Sequence, residues 1–215
     1  MGSATRKIAN AFSTSGVIRS TNINNASLNN ITTIAGAGDM VLISSQTASA
    51  SASISFTSGI DSTYKEYVFY FVNIHPATNN IKFTFNMSTD SGASYNVTKT
   101  TTFFQAYHEE NDTDTGLSYS AGEDLAQGTG FQSLAQNVGN GADESVSGSL
   151  TLFNPSSTTY VKHFISRVSN YEEANRIFDC FSAGYGNTTS AVNAIQFQFS
   201  SGNIDDGKIL MFGVN

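Results

Sequence analysis

Apolar and polar positions alternate most clearly in two stretches. Ile81, Phe83, Phe85 and Met87 are separated by Lys82, Thr84 and Asn86, and Ile195, Phe197 and Phe199 by Gln196 and Gln198. A period of two sends the apolar side chains to one face of a strand and the polar ones to the other. Ile54 and Phe56 alternate with serine in the same way. Residues 64–74 (Tyr-Lys-Glu-Tyr-Val-Phe-Tyr-Phe-Val-Asn-Ile) are apolar on both faces, which predicts a strand in the middle of a sandwich. Further strands are predicted over 41–46, 99–107, 145–154, 158–168, 177–185 and 207–213. Turn formers separate them at Asn79-Asn80, Asp90-Ser91-Gly92, Asn154-Pro155-Ser156-Ser157, Gly186-Asn187 and Asp205-Asp206-Gly207. One helical turn is predicted near 170–176, where the chain reads Asn-Tyr-Glu-Glu-Ala-Asn-Arg. Residues 108–144 lack strand periodicity and read as long loops with one short strand near Phe131. About ten strands at this spacing predict an all-β fold, an antiparallel β-sandwich of jelly-roll-like type.

Residues 1–38 follow neither period. Ile8, Phe12, Val17, Ile18, Ile23, Leu28, Ile31 and Ile34 are scattered through Ser, Thr, Asn, Ala and Gly, and the segment closes at Gly36-Ala37-Gly38. Alone, such a segment cannot bury enough apolar surface to offset its ordering entropy. It reads as an extended N-terminal attachment arm that orders against a neighbouring subunit, with Ile8, Phe12, Ile23, Leu28 and Ile31 as its contact residues. The alternative is a terminus without fixed structure. Residues 39–215 form the sandwich domain.

Composition narrows the function. Of 215 residues only 13% are charged, about half of the roughly 25% usual for globular domains. Ser, Thr, Asn and Gln must therefore supply the polar surface. The formal net charge is −7, and no Lys or Arg lies between Lys99 and Lys162, where Glu109, Glu110, Asp112, Asp114, Glu123, Asp124, Asp143 and Glu144 fall. Nucleic-acid binding needs clustered cations, so nucleic acid is not an expected partner. No stretch approaches the roughly 18 apolar residues of a membrane-spanning helix, so membrane insertion is not expected. The stretch after Arg6-Lys7 is too short and polar for a secretory core.

A search for chemistry returns little. Cys180 lies in an apolar stretch and reads as a small buried hydrophobe. His75, His108 and His163 have no accompanying motif, and no nucleophile elbow, zinc-ligand spacing or phosphate-binding loop occurs. No catalytic residue, metal or cofactor is therefore assigned, and the chain reads as non-enzymatic. Glu109/Glu110 and Glu123/Asp124 are the carboxylate pairs that a glycoside hydrolase would need. The run from Glu109 to Gly116 is dense in oxygen ligands but lacks the EF-hand pattern, so it reads as a hydrophilic loop tip. Tyr107, Tyr119 and Tyr185 lie near loops, where rings stack on sugars and amides bond their hydroxyls. Tyr107, His108, Glu109, Asp112, Asp114 and Tyr119 form the candidate contact loop, within a candidate contact surface over 108–128.

Several stretches resemble one family. They are Thr5-Arg6-Lys7-Ile8-Ala9-Asn10-Ala11-Phe12, Val41-Leu42-Ile43-Ser44, Phe56-Thr57-Ser58-Gly59-Ile60-Asp61 and Tyr64-Lys65-Glu66-Tyr67. Asn73-Ile74-His75-Pro76-Ala77-Thr78, Thr102-Phe103-Phe104, Leu152-Phe153-Asn154-Pro155-Ser156-Ser157, Ser201-Gly202-Asn203-Ile204 and Phe212-Gly213-Val214 continue it. Together they resemble virion structural proteins of marine bacteriophages, of tail-fibre, head-fibre or capsid-decorating type. The resemblance implies a location on the virion, with the arm docked on capsid or tail proteins. It also implies a homo-oligomer, with a trimer favoured, and adhesion to a host-surface glycan. Two rivals remain: a carbohydrate-binding module or adhesin outside any virion, and a tail-associated polysaccharide depolymerase.

Overall fold

The computed structural model describes residues 40–214, so the arm residues Ile8, Phe12, Ile23, Leu28 and Ile31 lie outside the described residues. Twelve strands make up the rest: β1 (Met40–Thr47), β2 (Ile54–Phe56), β3 (Glu66–Pro76), β4 (Ile81–Ser88), β5 (Lys99–Glu109), β6 (Thr115–Tyr119), β7 (Gln132–Val138), β8 (Val146–Phe153), β9 (Lys162–Glu172), β10 (Arg176–Gly186), β11 (Ala194–Phe199) and β12 (Ile204–Val214). Every pairing is antiparallel. Eight strands run β6-β5-β10-β9-β8-β3-β12-β1, and four run β7-β4-β11-β2. One residue pair, Val138 with Glu172, joins the two runs. The fold is the predicted all-β, antiparallel sandwich, nearly closed into a barrel.

Phenylalanines fill the space between the two layers at one end. Phe197 on β11 lies 5.1 Å from Phe71 and 5.4 Å from Phe69, both on β3. Phe83 reaches Phe71 at 5.1 Å, and Phe85 reaches Phe164 of β9 at 4.8 Å. Edge-on contacts of this kind suit the ring quadrupole and add to the area buried. The alternation of β4 and β11 produces this core directly, since every second side chain points inward.

The interior under β5, β9 and β10 is different. Lys99, Thr101, Gln105, Gln132, Lys162, Ser166, Asn170 and Glu172 are all buried there. Thr101 Oγ1 donates to Gln132 Oε1 (2.6 Å) and accepts from the Leu125 amide (2.7 Å). Gln132 Nε2 donates to the carbonyls of Glu123 and Ser133. Asn170 Nδ2 donates to Gln136 O. Buried polar atoms need such partners, because desolvation without them costs about 1–3 kcal/mol each.

Three expectations need correction. Strand β3 is interior to its sheet but not covered on both faces. Tyr67, Phe69, Phe71 and Ile74 point into the core, whereas Tyr70 and Val72 are exposed on the outer face. The inward register survives a bulge at Asn73, which takes a left-handed φ of 49°. Gly207 of β12 sits opposite at φ 116°, and a Cβ there would come within 2.5 Å of Asn73 O. Second, 170–176 is no helical turn but the β9–β10 hairpin. Asn175 (φ 59°) closes it by donating its amide to Glu172 O at 3.1 Å. A left-handed Asn suits a tight turn and breaks a helix. Third, 108–144 contains β6 in addition to the strand expected near Phe131, which is β7, and β5 continues to Glu109.

Candidate functional site

The hairpin joining β5 to β6 carries most of the candidate contact residues, and the structure divides them. Tyr107 points inward. Its ring packs edge-on against Phe178 at 5.8 Å and lies under the Arg176 guanidinium at 5.4 Å. Its hydroxyl donates to Asp114 Oδ2 at 2.9 Å, and this bond raises the phenol above its ordinary pKa. Arg176 bridges two acids, Glu109 at 3.0 Å and Glu172 at 3.3 Å. The loop tip is bound to itself: Thr113 N donates to Asn111 Oδ1, and Asp112, at φ 59°, donates its amide to Glu109 O. His108 and Asp112 pair at 3.1 Å and are exposed.

Tyr119 ends β6, four residues past Thr115, which is about 14 Å along an antiparallel strand. The structure thus does not bring Tyr119 to the loop tip. Its hydroxyl donates to Asp124 instead. Among the described residues no group of three His, Cys, Asp or Glu side chains is arranged to hold a metal ion.

Other candidates are also engaged. Glu123 pairs with Lys82 at 2.6 Å. Burial pushes the Cys180 thiol up to about 12, so it holds its proton and packs as an apolar group. His75 meets Gly141 O at 3.0 Å at the edge of a cleft of about 430 Å³, also lined by Asn73, Asp143, Glu144 and Asp206.

A larger feature appears only when strands are set in register. Across the outer face of the eight-stranded run, one row reads Tyr119, Phe104, Phe181, Arg167, Ser149, Tyr70, Leu210. The next row reads Thr102, Ala183, Ile165, Thr151, Val68, Phe212, Leu42. Phe104 and Phe181 stack in parallel, 4.8 Å apart at 2°. The Arg167 guanidinium lies 4.9 Å from the Phe181 ring and donates twice to Asp179, at 3.0 and 2.7 Å. This fork fixes the arginine as a plane beside the rings and raises its pKa further. Ile165 is 57% exposed, Leu42 53% and, beyond Ala106 on β6, Leu117 74%. Of the predicted contact residues, Tyr119 lies in these two rows, and His108, four residues along β5 from Phe104, is exposed on the same face nearer the hairpin. The sequence signal was present in doublets such as Phe103-Phe104, where one ring must face out, but the row needs the pairing register.

Compared with protein-family models, curated proteins and solved structures, the chain matches none.

Proposed function

We propose that this chain is a non-enzymatic structural subunit of a bacteriophage particle. In this reading it displays its sandwich on the virion and adheres to a host-surface glycan through the outer face of the large sheet. The observation that carries the adhesive half is the outer row in which Tyr119, Phe104, Arg167 and Tyr70 are exposed and Phe181 is half-buried. Contiguous exposed apolar surface of this kind marks interaction sites. Ser149, Thr102 and Thr151 in the same two rows offer hydroxyls, so the face combines apolar contact with hydrogen bonding, as sugars require. Each contact is weak, and many copies on one particle would multiply it by avidity. The particle half rests on the resemblance of the sequence stretches given above, with residues 1–38 as the segment that docks on capsid or tail proteins and a trimer as the assembly.

Immunogold labelling of purified particles, with mass spectrometry of the same particles, tests this. Gold on the head supports decoration, and gold on the tail supports a receptor-binding fibre. Particles that lack both the gold and the peptides overturn the virion reading. Saturable glycan binding by the full chain would then favour the free carbohydrate-binding module, and release of reducing sugar the depolymerase. Deleting residues 1–38 is expected to abolish incorporation into particles.

A further inference from the structure

The buried Lys99 amine meets no opposite charge. Lys99 opens β5 and is fully buried. Its Nζ donates to Asn86 Oδ1 at 2.5 Å and to Val97 O at 2.8 Å. Both acceptors are neutral. An ammonium has three N–H bonds to place and here finds two acceptors, whereas a neutral amine has two and places both. Burial agrees, lowering the Lys99 pKa to about 7. A large share of this amine is therefore unprotonated at neutral pH and carries a free lone pair.

Asn86, on β4, is equally buried and is held rigidly. Its Nδ2 donates to Tyr95 O (2.6 Å) and Thr129 O (2.9 Å). Its Oδ1 also accepts the Met87 backbone N–H at 2.9 Å. The carboxamide cannot rotate, and its oxygen already faces a fixed donor where negative charge would develop on attack. Both side chains are fully buried, which keeps bulk water from the amide carbon. The 2.5 Å contact of Nζ with Oδ1 holds the amine beside the carboxamide and replaces a bimolecular encounter with a local one.

We propose that Lys99 and Asn86 form an intramolecular isopeptide bond, tying β5 of the large layer to β4 of the small one. The Nζ lone pair attacks Asn86 Cγ, and the Nζ–Cγ bond forms as the carbonyl electron pair moves onto Oδ1, which the Met87 N–H stabilises. A proton passes from Nζ to Nδ2. The Cγ–Nδ2 bond then breaks, Nδ2 departs as ammonia, and the carbonyl re-forms. No electrons enter or leave and no co-reactant is needed. The product keeps one N–H on Nζ, which still donates to Val97 O. None of the ion pairs among the described residues involves Lys99, and its depressed pKa has burial as its cause. Among the described residues no carboxylate is paired with Lys99 to relay the proton, so in this scheme it passes directly from Nζ to Nδ2.

The test is the intact mass of the full chain, followed for several days at pH 8 after purification. The expected result is a chain lighter by one ammonia, with a branched peptide containing both Asn86 and Lys99 after digestion. Lys99→Arg keeps a cation but is a far poorer nucleophile, and it should retain the full mass. A wild-type chain that stays at full mass overturns the proposal even if the variant fails to fold. So does an ammonia loss that maps elsewhere, such as to Asn140 before Gly141, where succinimide formation gives the same mass change.

Discussion

The two halves of the sandwich interior are built on opposite principles. Around Phe197 the layers meet through rings, and around Gln132 through hydrogen bonds between buried amides, hydroxyls and main chain. Rings attract without strict direction, so the first half depends on volume. The second half depends on partner count, because each buried polar atom left alone costs free energy that no neighbour can restore by shifting slightly. A truncation should therefore hurt most in the first half, and a single polar-to-apolar swap should hurt most in the second.

Phe197→Ala should have the largest effect. Phe197 lies within ring-contact distance of Phe56, Phe69, Phe71, Phe83 and Phe85, so its removal opens a cavity shared by four strands. The expected loss is about 3–5 kcal/mol, read from the urea midpoint. A loss below that of the polar variants would break the comparison. Next, Arg176→Met leaves Glu172 buried without its cation, and a loss of about 3 kcal/mol is expected in the same assay. A neutral result would mean that the glutamate takes up a proton or finds water.

The third effect is kinetic and concerns pH. The Lys99 pKa is lowered from 10.5 to about 7, so the neutral, reactive form dominates above about pH 7 and is lost below it. In chain isolated unfolded, still at full mass, and then refolded, ammonia loss should slow about tenfold per pH unit below 7 and stay flat above it. A rate still climbing toward pH 10 would show that the amine is not desolvated. The smallest effect is Thr101→Val, which removes one donor to Gln132 and one acceptor for Leu125 N at nearly constant volume. About 1–2 kcal/mol is expected.

The same contrast explains what the sequence revealed. Strands β4 and β11 were legible because Ile81, Phe83, Phe85 and Met87 alternate with polar residues. Strand β6 was not, because none of its residues from Thr115 to Tyr119 is fully buried and an edge strand that buries nothing leaves no period. Strand β7 was expected only as a short strand near Phe131, and its length to Val138 was hidden because Gln132 and Ser133 are buried polar residues, which read as loop. The Thr101–Gln132 bond spans 31 positions and is set only by folding. At 170–176 local composition suggested a helix, and the left-handed Asn175 decided for a hairpin. For the contact surface, Tyr119 was identified, while Phe104, Phe181 and Arg167 were not, since their adjacency depends on three strand pairings. Lys99 escaped notice because a lysine in a sequence reads as a solvated surface group.

The pairing of β1 with β12 sets Met40 beside Val214 at one edge of the large sheet. A tension drawing those two residues apart would load the rungs of that ladder singly, beginning with the outermost pair. Such a geometry unzips at low force, whereas strands pulled along their length resist with all rungs at once. A cable attached at Met40 alone spares the ladder, because no opposing pull reaches Val214. Cargo fused after Val214 and hauled against an anchor before Met40 would peel β1 away while the Phe197 cluster stayed intact.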